Sequence, residues 1–329
     1  MKHNQSLPIF ILIFFIITSL LISACSGVSA AQPKTYTIGV ANEIQSLNKV
    51  LDSFKAEMTK LGYVEGENIT YIYHNNSLGG DKQANEQEIK RLLDQKVDLL
   101  FTLGTAPTIA AKQAVEGTDI PVVFAPVLKP VEEGVVTSLR HPGSNVTGVQ
   151  SLDAAPKALE WLLKIAPETK KVYIPYNPVD KVSVTTIKSL QDTAAPLGVE
   201  LISDEVSTAD EVMANIKALP KDAAILFIPS PSLDAKLADF KKLAIERGIP
   251  AGSRSSSDPT DVIFTCATDS VRQGQQAAGL ADKIFKGIKP GDLPVETAPF
   301  SVIVNLKTAQ AIGLNIPDTL LRQANKVIR

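Results

Sequence analysis

Three features of the 329-residue chain predict an α/β fold of two doubly wound parallel-sheet lobes separated by a cleft. Short apolar runs alternate with helix-period segments from residue 36 onward, the signature of βαβ units in a parallel sheet. These runs show little period-2 alternation, as expected of strands covered on both faces. After residue 150 the pattern starts again with a second set of five runs, and a chain of this length suits two units of about 150 residues each.

The first set of strands is read at residues 36–41 (YTIGVA), 69–73 (ITYIY), 98–102 (DLLFT), 121–124 (PVVF) and 146–149. The second falls at 171–174 (KVYI), 199–202, 224–228 (AILFI), 249–252 and 262–265. Between strands, residues 47–61 place Leu47, Val50, Leu51, Phe54 and Met58 at helical spacing and stop at Gly62. A helix over 85–93 precedes the third strand, one over 183–197 stops at Gly198, and one over 233–246 stops at Gly248. Beyond the second set come a helix over 271–285, a strand over 301–305, a helix over 306–312 and a terminal segment over 318–328. This tail is too short for a third domain and is expected to cross back and complete the edges of both lobes. The expected division is a first lobe of residues 36–150 plus 271–295 and a second of 151–270 plus 296–329.

The first 24 residues have the layout of an export signal, with Lys2, an apolar run over residues 9–17, and the small residues Ser23 and Ala24. The run is shorter than the roughly 20 apolar residues of a membrane-spanning helix. Ile22-Ser23-Ala24-Cys25 resembles the bacterial lipobox, in which the cysteine is acylated and becomes the new N-terminus. The expectation is a signal peptide over 1–24, a lipidated Cys25, a flexible tether over 25–35, and a protein anchored to a membrane outside the cytoplasm without spanning it. A formal net charge of −2 with no basic patch excludes a nucleic-acid partner. Besides Cys25 only Cys266 is present, so there is no disulfide framework. His74 and His141 lack a second histidine or cysteine at ligand spacing, and neither a metal nor a cofactor is expected. The chain contains no nucleophile elbow, zinc-protease helix, P-loop or dinucleotide fingerprint. A nucleophilic Cys266 would need a base and an orienting group that the spacing does not supply, so no catalytic residue is assigned.

In open parallel sheets a ligand binds beyond the carboxyl ends of the strands, which directs attention to four loops. In TLGTAPTIAA (102–111), Gly104, Thr105 and Ala106 open a helix, with Pro107 in its first turn. Their amides and the Thr105 hydroxyl either hold an anionic group such as a carboxylate or form an ordinary strand-to-helix turn. In IPYNPVD (174–180), Tyr176 and Asn177 follow a strand, as ligand contacts or as a surface turn. In FIPSPSLD (227–234), Ser230 is a helix cap or a polar contact. In AGSRSSSDPT (251–260) and FTCATDS (264–270), Arg254 is a carboxylate clamp or a solvated charge, and Asp269 an ammonium partner or a helix N-terminal acid. Trp161 lies in an amphipathic helix and reads as packing.

Several stretches, LGTAPTIAAKQA, IPVVFAPV, HPGSNVTGV, KALEWLLKIAP and above all VIVNLKTAQAIGLNIPDTLLRQANKVI, resemble the ABC-transporter substrate-binding proteins whose better-known members carry tryptophan, tyrosine or phenylalanine. The resemblance covers nearly all of residues 36–328. It implies a type I periplasmic-binding fold with three crossover segments, one small ligand in the cleft, and delivery of that ligand to an ABC permease in the membrane. For an amino-acid-like ligand the expected assignment gives the carboxylate to Gly104, Thr105 and Ala106, the ammonium to Asp269, apolar walls to Phe124 and Tyr176, and polar contacts to Asn42, Asn177, Ser230 and Ser253. Two departures stand out: Lys129 in VLKPV where the family has an acid, and Thr265-Cys266-Ala267-Thr268-Asp269 where it has a tyrosine-glycine pair before the aspartate. Loss of that tyrosine reshapes the pocket and weakens stacking on an aromatic ligand. An alternative reading is a sensory subunit, in which the loaded protein docks on a membrane receptor instead of a permease.

Overall fold

The computed structural model describes residues 34–74, 78–255 and 259–329, and the lipidation site Cys25 with its leader lies outside the described residues. The first sheet contains β1 (Tyr36–Asn42), β2 (Ile69–Ile72), β3 (Leu99–Leu103), β4 (Val122–Leu128), β5 (Val146–Ser151) and a late strand, β11 (Glu296–Thr297), in the order β11-β5-β4-β3-β1-β2. The second contains β6 (Lys171–Tyr176), β7 (Glu200–Glu205), β8 (Ala223–Phe227), β9 (Ala251–Ser253), β10 (Phe264–Thr268), β12 (Phe300–Asn305) and β13 (Lys326–Ile328), in the order β13-β12-β10-β9-β8-β6-β7. Pairing is parallel except between β10 and β12, because the tail enters the second sheet from the side facing the first.

Helices cover both faces of each sheet, which is why the strand sequences are apolar throughout. On one face of the first sheet, α1 (Asn48–Lys60) buries Val50, Phe54 and Met58 against Ile38, Val40 and Phe101, with Phe54 and Phe101 stacked at 4.0 Å. On the other, α2 (Lys82–Asp94) and α3 (Thr105–Ala114) bury Ile89, Leu92, Ala110 and Ala111 against Leu100 and Val122. In the second sheet, α4 (Ala155–Ile165) and α5 (Lys181–Leu197) pack Leu159, Trp161, Leu162 and Leu190 on one face. On the opposite face α6 (Ala209–Ala218) and α7 (Leu237–Glu246) bury Val212, Ile216, Phe240 and Ala244. Each fully buried Val, Leu, Ile, Phe or Met among these contributes about 1.5–3 kcal/mol of transfer free energy. The sequence reading passed over α6. It begins at a Thr208 cap, whose hydroxyl accepts the Glu211 amide at 3.3 Å, and buries only Val212 and Ile216, too thin a stripe for periodicity to register.

After the second set of strands, α8 (Ser270–Phe285) returns to the first sheet and lies against α1. Their approach is close enough that a Cβ at Gly274 would overlap the Val50 carbonyl and sit 2.7 Å from the Phe54 nitrogen. The short α9 (Leu306–Ala311) and α10 (Asp318–Leu321) then lead to the edge strand β13.

The chain passes between the sheets three times: from β5 to α4, from β10 to α8 at Asp269, and from β11 to β12. These crossovers are bonded to one another. Ser151 Oγ donates to Thr268 Oγ1 at 2.9 Å, and Thr268 Oγ1 donates to the Leu152 carbonyl at 3.2 Å. The Asp269 amide donates to the Pro299 carbonyl at 2.9 Å, and that of Ala298 to Gln150 at 3.4 Å. Among the described residues no helix is long and apolar enough to cross a membrane.

Candidate ligand-binding cleft

The carboxyl ends of the first sheet's strands face the second lobe. Lys49, in the first turn of α1, lines an interlobe cavity of about 40 Å³ with Ser255, Thr265, Thr268, Asp269 and Ser301. A larger cavity of about 660 Å³ lies at the opposite end of the first sheet, beside Tyr36, Asp98, Pro121 and Asn145, where the strands begin. The cleft is the better candidate despite its size, since parallel-sheet proteins place ligands at the carboxyl ends.

Four residues shape the first lobe's edge of the cleft. Asn42, 1% exposed, donates from Nδ2 to Asn48 Oδ1 at 2.8 Å and accepts the Ile44 amide at 3.2 Å, which fixes the loop between β1 and α1. Thr108 Oγ1 donates to the Gly104 carbonyl at 2.5 Å and meets Thr102 Oγ1 at 2.8 Å, which fixes the turn into α3. Gly104 has φ +105°, a left-handed conformation that favours glycine, and a Cβ there would overlap the carboxylate of Glu43. That carboxylate accepts the Ala106 amide at 3.3 Å through Oε2. The first-turn amides expected to meet a ligand's carboxylate are thus met by the chain's own. Partial burial pushes the Glu43 carboxyl above its ordinary value, and hydrogen bonds from the Ala106 and Thr105 amides offset only part of that rise. Among the described residues no cation pairs with it.

The second lobe's edge is more tightly connected. The Asn177 amide donates to Ser230 Oγ at 3.2 Å, and Ser230 Oγ in turn donates to Asp180 Oδ2 at 2.7 Å, where Ser232 Oγ also arrives at 2.5 Å. Ser183 Oγ donates to the Pro229 carbonyl at 2.7 Å, joining the loops after β6 and β8. Loss of water contact pushes the Asp180 carboxyl up, but its bonds from Ser230 and Ser232 outweigh that and hold it below the ordinary value. Ser253 is buried within β9, and Arg254 follows with Nε 3.4 Å from Asp153 Oδ1. That Nε is shielded from water yet has no hydrogen-bond partner.

The two expected apolar walls are packed into cores. Phe124 is fully buried in the first lobe, its ring against Gly148. Tyr176 is 6% exposed within the second lobe's core, and its hydroxyl donates to Glu205 Oε1 at 2.7 Å; burial, then that carboxylate, push its phenol up to about 12. Cys266 is buried on β10, and desolvation pushes its thiol up to about 12, far from a thiolate nucleophile. Asp269 caps α8, with Oδ1 accepting the Val271 and Arg272 amides at 2.9 and 3.1 Å. Among the described residues no group of three metal-ligating side chains gathers. The sequence reading overlooked Glu43, although a carboxylate directly after a strand's carboxyl end, next to Asn42, is the signal that marks it.

Two α/β lobes joined by three crossovers, with polar loops facing across the gap, define a type I periplasmic-binding fold. The chain belongs to the ABC transporter substrate binding protein family, whose profile matches residues 37–328. It is 29% identical over 286 residues to a tyrosine-binding protein of Clostridioides difficile (strain R20291), covering 85% of this chain and 82% of that one. Among solved structures, it is similar to the ligand-free, open form of a substrate binding protein with adhesive properties from Clostridium difficile, with a TM-score of 0.76, 25% identity, and coverage of 89% of this chain and 99% of that one. It also matches an ABC domain from Streptococcus pneumonia in complex with L-Trp, with a TM-score of 0.68, 22% identity, and coverage of 90% and 100%. The protein is therefore an extracytoplasmic substrate-binding protein, with a small-molecule ligand and a membrane permease as its partners.

Proposed function

We propose that this protein captures an amino acid or closely related compound between its lobes and hands it to the permease, tethered to the membrane through a lipidated Cys25 and without chemical turnover. One observation supports the reading: the loops that follow the strands of both sheets carry polar and charged groups, Glu43 and the Gly104–Ala106 turn in the first lobe, Ser230, Arg254 and Asp269 in the second. A ligand touching both sets gains contacts only when the lobes come together, so it shifts the population toward the closed state. The crossovers supply the axis of that motion. The amino-acid class follows from the relatives, one described as tyrosine-binding and one solved with L-Trp. Phe124 and Tyr176 are left out of the proposed site, since both fill cores.

A thermal-shift panel tests the reading. The protein is stripped of ligand by unfolding and refolding, then exposed to amino acids, nucleosides, sugars and short peptides. A ligand at 100 times its dissociation constant adds about 2.7 kcal/mol, a rise of roughly 5–10 °C for lobes of this size. Stabilisation by amino acids alone is the expected result. Stabilisation by sugars or nucleosides alone would overturn the ligand class.

A further inference from the structure

Among the described residues of the first lobe, one half-buried carboxylate has no cation beside it. Glu43 lies at the carboxyl end of β1 and leans onto Gly104, whose lack of a Cβ makes room for it, while the Ala106 amide reaches Oε2 at 3.3 Å. A ligand carboxylate placed on the same amides would sit against a like charge, which costs binding free energy. A ligand cation there instead would supply the partner that Glu43 lacks. Asp269, the other carboxylate considered for that role, already devotes Oδ1 to two amides as the cap of α8. On the opposite edge, Arg254 follows β9 and is ion-paired with Asp153 at 3.4 Å, while its shielded Nε makes no hydrogen bond.

We propose that Glu43 determines specificity in the cleft by receiving the ligand's ammonium group, so that an amino acid lies with its ammonium on the first lobe and its carboxylate toward Arg254 of the second. This orientation reverses the one suggested by the helix amides, and it rests on the amino-acid reading above.

The test is calorimetric titration of the full-length protein, in detergent, with L-tyrosine, L-tryptophan, the des-amino analogue 3-(4-hydroxyphenyl)propanoate, and tyramine. Glu43→Gln keeps the shape and the acceptor for the Ala106 amide but removes the charge. It should weaken L-tyrosine or L-tryptophan by about 10–100-fold, the range for a hydrogen bond to a charged group, and leave the des-amino analogue unchanged or tighter. Glu43→Asp keeps the charge and should retain most of the affinity, which separates lost charge from lost fold. If the Glu43→Gln protein binds the amino acids as well as the wild type, or better, the ligand's carboxylate has taken the α3 amides and the inference is overturned alone. If the wild-type protein binds none of these four probes and no amino acid of the thermal-shift panel, the amino-acid reading falls, and the inference with it.

Discussion

The two lobes present the same kind of strand ends to the cleft but hold them differently. In the second lobe the loops after β6 and β8 are locked by Ser230, Ser232 and Ser183, with Asp180 at the centre. In the first lobe the loop after β1 meets the turn into α3 through Glu43, whose amide donates to the Leu103 carbonyl at 2.9 Å and whose carboxylate accepts the Ala106 amide at 3.3 Å while remaining above its ordinary protonation value. A fully satisfied polar network rigidifies what it connects, whereas an under-satisfied carboxylate retains unspent interaction energy. The contrast suggests a division of labour, with a preformed surface on one side and a responsive group on the other.

The strongest way to break this contrast is Gly104→Ala. The new methyl adopts an unfavourable φ and meets the Glu43 side chain, so urea unfolding should report a loss of about 2–4 kcal/mol. Adding Glu43→Ala should return the part due to overlap, and a double variant no more stable than the single would mean that Glu43 does not pack there. A smaller effect is expected at the hinge, where Asp269→Ala removes the cap of α8 and should cost about 1 kcal/mol. Asp269→Asn still caps α8 and should keep stability near that of the wild type in the same urea experiment.

The smallest effect is the most diagnostic, because the two lobes should answer acid in opposite senses. Glu43 has a raised folded-state value, so its contribution to stability is present below the ordinary glutamate value of 4.5 and lost as pH rises through the folded value. Asp180 has a lowered one, so its contribution is present above the ordinary aspartate value of 3.8 and lost as pH falls through the folded value. Hydrogen exchange during mild acidification should show the loop after β1 gaining protection first, and the loop after β8 losing it only at lower pH. Glu43→Gln should erase the first change and Asp180→Asn the second. Identical pH responses in both loops would remove the basis for the contrast.

Much of this architecture was legible in the chain. Buried parallel strands write themselves as continuous apolar runs, Gly62, Gly198 and Gly248 end their helices, and the turn at Gly104 announces a strand-to-helix junction. The direction of individual side chains was less so. Phe124 and Tyr176 lie on strands covered from both sides, where an aromatic bound for the core looks the same in sequence as one bound for a cleft. Glu43 was hidden for another reason: its partner amide belongs to Ala106 in the first turn of α3, and only the adjacency of β1 and β3 brings them together. Local pattern sees a strand end, whereas pairing between distant strands decides what that end touches.

The position of Gly274 has a consequence for how the chain acquires its shape. The helix carrying it is made after every strand of the second sheet except β12 and β13, yet it seals the face of the first sheet that α1 begins to cover. Residues 48–60 must therefore wait for residues 270–285, so the lobe that starts first cannot be finished first. Contacts so far apart along the chain slow folding. A nascent or half-emerged chain would expose Val50, Phe54 and Met58, which makes late docking of α8 the step on which escape from aggregation depends.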